Sequence, residues 1–599
     1  MFGLDRVSKT ASNLVKTFGD NVKQGQQQLE SWLGESGMVD ETKLSTISEM
    51  SDAYRTMAED LILHPLRFAS AELDLAKKHM GLARYTLNRL TGKQPEPVAN
   101  PEPDDRRFMA DDWRKHVPFD VLQQAYLINS KAFLDWVEGM ESLPGPARDQ
   151  MLFYARQLTS ALSPSNYPLT NPEVLRITWE RKGMNFVDGA RNLAEDIRQN
   201  PNLFNVGMTD RSAFEIGGNL ATTPGKVVYQ NELMQLIQYS PTTETVAKRP
   251  VLIVPPWINK YYILDLTERN SFIRWLVDQG QTVFIISWRN PGADQKDTSW
   301  DDYITLGPLA AIDAITEATG EKKINAIGYC IGGTLLGTTM AWLAAKKRNP
   351  IVSTTYFTTL LDFSDPGQVG VFVNEHSLRA LERSMNRKGY LDGRAMALTF
   401  NLLRENDLFW SYWTNNYLKG LKPKAFDLLY WNTDGTNLPA RMHSYYLREM
   451  YLHNRLVQPN ALTLAGESMD LGNIKTPSFF LSARQDHIAK WKATYKGARV
   501  YGGDVRFVLS GSGHIAGVIN PPYKEKYGFW TNDQLASNPD DWLDSAEHHP
   551  GSWWPYWRQW LAGYEGEQIP ARQPGDGKLE VIEDAPGSYV KVKAGEAGR

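Results

Sequence analysis

From about residue 225 onward, short β-branched runs alternate with longer helix-like stretches, and that alternation leaves few architectures open. "GKVVYQN", "MQLIQYS", "RPVLIVPP", "TVFIISW" and "KINAIGY" read as strands bounded by turn residues, and "TPSFFLSARQD" and "VRFVLSGSGH" close the series. "FIRWLVDQG" and the stretch around "LAAIDAITEAT" are helical spacers between the later ones. Strands that are apolar along their length, joined through helices, imply an α/β class with a mainly parallel sheet covered on both faces. Between about 365 and 450 the alternation lapses into a segment rich in Trp, Tyr, Leu and Asn. This segment is expected to be a mostly helical cap over the sheet's carboxyl edge.

A chain of 599 residues exceeds what one hydrophobic core ordinarily holds. Upstream, "AFLDWVEGMESL" and "ARDQMLFYARQLTSAL" read as helices, with "TGKQPEPVANPEPDDRR" as a linker or exposed loop and "SPSNYPLTNPEV" as a further break. The expected organisation is a helical N-terminal domain at 1–210, a catalytic α/β domain at 211–575 and a tail at 576–599. Leu4, Val7, Ala11, Leu14, Val15, Phe18 and Val22 recur at helical spacing, as in a helix packed on its own protein, on a partner chain or on an apolar surface.

A formal charge of −4 gives no general attraction for phosphate backbones, so nucleic-acid binding is not expected. One cysteine cannot form an internal disulfide. The first residues lack the basic-then-apolar pattern of a secretory leader, and no apolar run approaches the roughly 20 residues of a membrane span. A cytoplasmic protein without a transmembrane segment is expected. No Cys/His cluster stands at zinc spacing, so neither metal nor cofactor is expected.

The single thiol, Cys330, sits in "INAIGYCIGGTLLG", between Gly328 and Gly332, after a strand and before a helix. That is the context of a nucleophile elbow, Gly-x-Ser-x-Gly, with sulfur in place of the hydroxyl, and it marks an α/β-hydrolase fold. Bulky residues flanking such a turn would clash, and Gly333 permits close helix–sheet approach. The helix N-terminus favours thiolate, and the next N–H, from Ile331, can meet a developing oxyanion.

A thiol with an ordinary pKa needs a base, and this fold orders nucleophile, acid and histidine along the chain. His514, in the small-residue loop "VLSGSGHIAG", follows a strand directly, and Asp486 ends the preceding strand. His487 is a rival base, but adjacent side chains diverge, so Asp486 orients it poorly. Asp486 could also cap the stretch "HIAKWKATYKG". The second oxyanion donor should come from "VPPWINKYYILDL"; Pro255 and Pro256 lack an N–H, which points to Ile258.

With "DRRF", "SPSNYPLTNPE", "RPVLIVPPWINKYYILDL", "VFIISWRNP", "GYCIGGT", "LREND", "NYLKG", "GHIAGVINPP" and "HHPGSWWPYW", the chain resembles the polyhydroxyalkanoate synthases from about residue 60 to 560. Its length and the "GYCIGGT" form are similar to class I, with class II sharing the architecture. The resemblance implies that (R)-3-hydroxyacyl-CoA, short-chain units favoured, is polymerised with release of CoA. Cys330 would be the acylated nucleophile, His514 the base and Asp486 the third member, orienting His514 or activating the 3-hydroxyl. It also implies a homodimer and association with the polyester granule surface. Trp431 matches a family tryptophan near the active site and equally suits a core position. Arg404 in "LREND" could meet CoA phosphates or a neighbouring carboxylate. Trp257 departs from the family pattern, where a smaller residue is common, and leaves chain-length preference open. A thioesterase or other cysteine hydrolase of the same fold, and a non-catalytic granule-binding protein, are the competing readings.

Overall fold

The computed structural model describes residues 65–140, 143, 145–199 and 206–597; the helical pattern between Leu4 and Val22 lies outside them. The chain divides into two compact units. One holds the described residues up to Met208 with Asn374–Leu381 and Leu398–Lys424, and the other holds Thr209–Val373, Glu382–Ala397 and the rest from Ala425.

The first unit is helical. Pro65–Leu90 and Val117–Glu138 meet through Leu82, Tyr85 and Ile128, and Gly145–Ala161 sets Met151 and Ala155 against Val137 and Met140. The buried Asp120 carboxylate accepts from Tyr85 Oη at 2.7 Å and Gln124 Nε2 at 2.9 Å, so its burial leaves no orphaned oxygen. The "SPSNYPLTNPEV" break is a hydrogen-bonded turn in which residues 163–166 and Asn171 are buried and Tyr167 and Leu169 are exposed. Asn166 Nδ2 donates to the Ser160 carbonyl and Asn171 Nδ2 to that of Ser165, each at 2.7 Å. Asn171 Oδ1 then caps the helix Pro172–Glu180 by accepting from the N–H groups of Glu173 and Val174.

The second unit is built on an eleven-stranded sheet. In chain order its strands are β1 (Gly225–Gln230), β2 (Met234–Tyr239), β3 (Val251–Val254), β4 (Val283–Trp288), β5 (Ile324–Tyr329) and β6 (Ile351–Phe357). They continue as β7 (Ser478–Ala483), β8 (Val505–Ser510), β9 (Phe529–Thr531), β10 (Glu547–His549) and β11 (Glu583–Asp584). The spatial order is β10-β9-β8-β7-β6-β5-β3-β4-β2-β1-β11. The six strands from β8 to β4 run parallel, and the pairs outside them are antiparallel. The turn between β1 and β2 is too short for a crossover, which is why those two form a hairpin on an otherwise parallel sheet. Together with the elbow at the end of β5, this architecture is the α/β-hydrolase fold expected from the sequence.

β1, β2, β3, β4, β5, β7 and β8 carry the runs read as strands; β6 fills the gap between β5 and β7. One face of the sheet is covered by a cluster that includes Phe272, Phe357, Trp553, Trp554 and Trp557. Each of these three indoles finds an acceptor: the Gly517 and Val518 carbonyls for Trp553 and Trp554, and the Thr355 hydroxyl for Trp557, all at 2.9 Å. The three tryptophans of the "HHPGSWWPYW" stretch are therefore core residues, while His548, Pro550 and Pro555 are exposed. Within 365–450 the chain forms helices Glu375–Lys388, Gly393–Leu403, Asp427–Thr433 and Ala440–Tyr445, with a two-residue pairing of Tyr390–Leu391 against Leu438–Pro439. No helix among the described residues is long and apolar enough to cross a membrane.

Candidate active site

β3 lies between β4 and β5, so chain connections leave it in opposite directions along the sheet. In open α/β sheets the crevice at such a switch point, beyond the strands' carboxyl ends, is where ligands bind. The end of β5 and the loop after β3 meet there.

β5 ends at Tyr329, and Cys330 follows with φ of 54°, directly before the helix Ile331–Ala345. A positive φ on a residue with a Cβ is strained, and the neighbours that enforce it are visible. The Cys330 N–H donates to the Phe357 carbonyl at 2.9 Å, while its own carbonyl accepts from Gly333 N–H at 2.9 Å and Thr334 N–H at 3.2 Å. A Cβ on Gly328 would lie 2.5 Å from Gly333 Cα, and one on Gly332 2.5 Å from the Pro255 carbonyl oxygen. The glycine spacing of the motif thus follows from strand, helix and loop converging on one point.

His514 comes from the loop after β8 and Asp486 from the loop after β7. His514 Nδ1 is 2.6 Å from Asp486 Oδ2. The other Asp486 oxygen accepts from the Ile488 and Ala489 N–H groups at 2.8 and 2.9 Å, and the carboxyl side chain is wholly buried. The Cys330 side chain lies near enough to the His514 imidazole to act on its protonation. Burial alone would push the His514 pKa down; the charges of Asp486 and Cys330, and the hydrogen bond to Asp486, override it and hold the value well above 6.5. The structure therefore brings Cys330, His514 and Asp486 into one chain of contacts, and the Asp486 carboxylate meets the ring of His514.

Other sequence candidates fall as follows. Ile331 opens the helix, where the first-turn N–H groups have no intrahelical acceptor. Ile258 lies in the loop after β3, its carbonyl accepting from Thr436 N–H at 3.0 Å. Trp431 is a core residue whose Nε1 donates to the Lys260 carbonyl at 2.7 Å. Arg404, in the helical unit, is paired with Asp407 one turn on. Trp257 is buried against Trp288, Trp300 and Tyr303, with its ring centroid 4.6 Å from that of Tyr303. Among the described residues no group of three or more His, Cys, Asp or Glu side chains could hold a metal ion.

Three tyrosines at the site escaped the sequence reading. Tyr329 donates from its hydroxyl to the His514 carbonyl at 3.2 Å and stacks on the imidazole with centroids 5.9 Å apart. Tyr446, buried, and Tyr451, half-buried, lie close enough to Cys330 that its charge adds to desolvation in pushing both phenol pKa values up. Tyr329 adjoins the nucleophile in the motif and was there to be read. Nothing in the sequence separates Tyr446 and Tyr451 from the other aromatics of their segment.

Residues 104–276 match the family model described as the poly-beta-hydroxybutyrate polymerase (PhaC) N-terminus, and 250–521 match the alpha/beta hydrolase fold. A poly(3-hydroxyalkanoate) polymerase of Methylorubrum extorquens is 44% identical over 594 residues, covering 98% of each chain. A poly(3-hydroxyalkanoate) polymerase subunit PhaC of Cupriavidus necator is 45% identical over 497 residues, covering 82% of this chain and 83% of its own. Among solved structures, a Paleococcus ferrophilus monoacylglycerol lipase aligns with 47% of this chain and 90% of its own at 16% identity and a TM-score of 0.30. With such identity sustained over 98% of one relative and 83% of the other, the chain belongs to the poly(3-hydroxyalkanoate) polymerase family.

Proposed function

We propose that this protein polymerises (R)-3-hydroxyacyl-CoA, with short-chain units such as 3-hydroxybutyryl-CoA favoured, into a polyester with release of CoA. The observation that carries the reading is a thiol on a strained elbow, close to an imidazole that a buried carboxylate holds from behind, in a chain of this family.

In this mechanism the Cys330 proton passes to His514, and the sulfur attacks the thioester carbonyl of the substrate. The carbonyl π pair moves onto oxygen, where the N–H groups of Ile331 and Ile258 stabilise it. The tetrahedral intermediate collapses, the bond to the CoA sulfur breaks, and the imidazolium protonates the leaving thiolate. Next, a hydroxyl of an incoming unit or of the growing chain gives its proton to His514 and attacks the Cys330 thioester. An ester bond forms, the carbon–sulfur bond breaks, and the thiol is restored. Exchange between thioesters costs little free energy, so sulfur suits a centre that takes on and passes along acyl groups repeatedly; a serine ester would be a deeper trap.

The geometry favours an orienting role for Asp486. One of its oxygens accepts from two backbone N–H groups, which fixes the carboxylate, and the other meets His514 Nδ1. Activity as a homodimer at the surface of cytoplasmic polyester granules, in the class I manner, completes the proposal. The test is incubation of the full chain with 3-hydroxybutyryl-CoA, followed by product sizing. High-mass ester with stoichiometric CoA supports polymerisation, whereas free hydroxyacid marks a thioesterase.

A further inference from the structure

The loop after β3, from which the second oxyanion donor is drawn, is stitched to residues 431–436. Thr436 N–H donates to the Ile258 carbonyl at 3.0 Å, and the Thr436 hydroxyl bonds the Trp257 carbonyl. Asn259 bridges to Gly435, and Trp431 Nε1 donates to the Lys260 carbonyl. Beneath these contacts lies an ion pair. Lys260, only 5% exposed, places Nζ 2.9 Å from Asp434 Oδ1, and Tyr262 Oη donates to Asp434 Oδ2 at 2.8 Å. A charged amine with so little access to water is an expensive element in a loop, and neither Lys260 nor Asp434 is a member of the Cys330–His514–Asp486 chain.

The same loop bears directly on the elbow. Pro255 lies against Gly332 closely enough to exclude a Cβ, and β3 pairs with β5 up to Val254 opposite Gly328. A shift of residues 257–260 therefore changes where the Ile258 N–H stands relative to Cys330. Oxyanion stabilisation depends on donors fixed before charge develops, so a rigid anchor a few residues along has an effect that ground-state binding does not feel.

We propose that Lys260 and Asp434 are positioning residues: their buried ion pair latches the loop after β3 to residues 431–436 and sets the second oxyanion donor. The proposal rests on the thiol mechanism above and adds a determinant of transition-state affinity within the cap segment's last stretch.

The test compares two CoA ligands on the full chain. A trifluoromethyl ketone analogue of 3-hydroxybutyryl-CoA accepts the Cys330 sulfur at its carbonyl carbon, and the π pair becomes an oxyanion in the hole. The corresponding thioether analogue lacks that oxygen and reports ground-state binding. In Asp434→Asn, and in the apolar exchange Lys260→Met with Asp434→Leu, ketone affinity should fall at least tenfold while thioether affinity stays within twofold. Asp434→Glu should restore part of the ketone preference. The apolar exchange removes both charges together, so it leaves no unpaired ion to unfold the loop. An unchanged ketone-to-thioether ratio in these variants overturns the latch, and so does an equal loss of both ligands. A wild-type protein with no preference for the ketone overturns the thiol mechanism itself, and the latch with it.

Discussion

The carbonyl oxygen of Pro255 lies 2.5 Å from the point that a Cβ on Gly332 would occupy. Both partners are backbone, so neither can rotate aside. Gly332→Ala should push the loop after β3 away from the start of the helix, destabilising the protein by about 1–3 kcal/mol as overpacking does. CoA release should fall more than tenfold, because the two sides of the oxyanion site separate. Thermal unfolding and the rate of CoA release together check this; a variant with unchanged rate would show that the close approach is not needed for activity.

Cys330→Ala should abolish CoA release from 3-hydroxybutyryl-CoA while keeping the fold, since the side chain is small and only partly buried. His514→Gln should cost at least a hundredfold in rate, the scale of general-base loss. With one cysteine in the chain, a thiol-reactive dye reads released CoA over a background of a single protein thiol.

Asp486→Asn keeps an acceptor for Ile488 and Ala489 N–H but removes the charge beside His514. The wild-type imidazole has its pKa raised above the unfolded value of 6.5. Its contribution to stability is therefore full below about pH 6.5 and is lost as pH rises through the folded value. The gap in Tm between wild type and Asp486→Asn should be widest below about pH 6.5 and should narrow as pH rises through the folded value. A gap that widens with pH would contradict the direction of the shift.

His443 gives the opposite dependence. Burial pushes its pKa down to about 4, from 6.5. Between those values the unfolded chain binds the proton that the folded one refuses, so stability falls as pH drops from 6.5 to 4, by about 3 kcal/mol in total. A His443→Gln variant should lose this part of the acid sensitivity, seen as a shallower decline of denaturation midpoint over that interval.

The elbow was legible because its determinants are local: an apolar strand, two glycines at fixed offsets and a helix, all within fourteen residues of sequence. The positions of Asp486 and His514 followed from chain order and from their place just after strands. β6, "IVSTTYF", was not picked out, although it is central to the sheet. Its hydroxyls obscure an inward-facing strand until their distant partners are known. Ser353 donates to Asn325 Oδ1 at 2.6 Å, Thr354 pairs with Ser478 at 2.7 Å, and Thr355 receives the Trp557 indole. The Lys260–Asp434 pair was equally hidden, since a lysine and an aspartate far apart in sequence read as surface charges until folding buries them together.

β11 completes the sheet by pairing with β1, Lys226 opposite Asp584, and the residues just beyond it carry Val590 into the core. Those partners are separated by 358 positions. During synthesis the hairpin of β1 and β2 is thus made long before the segment that shields its outer rim, and the nascent polypeptide carries an unprotected β-edge until residues 583–584 have emerged. Chaperone demand and aggregation on overexpression should accordingly concentrate in that interval, and an insertion ahead of residue 583 that delays docking of 583–590 should lengthen it.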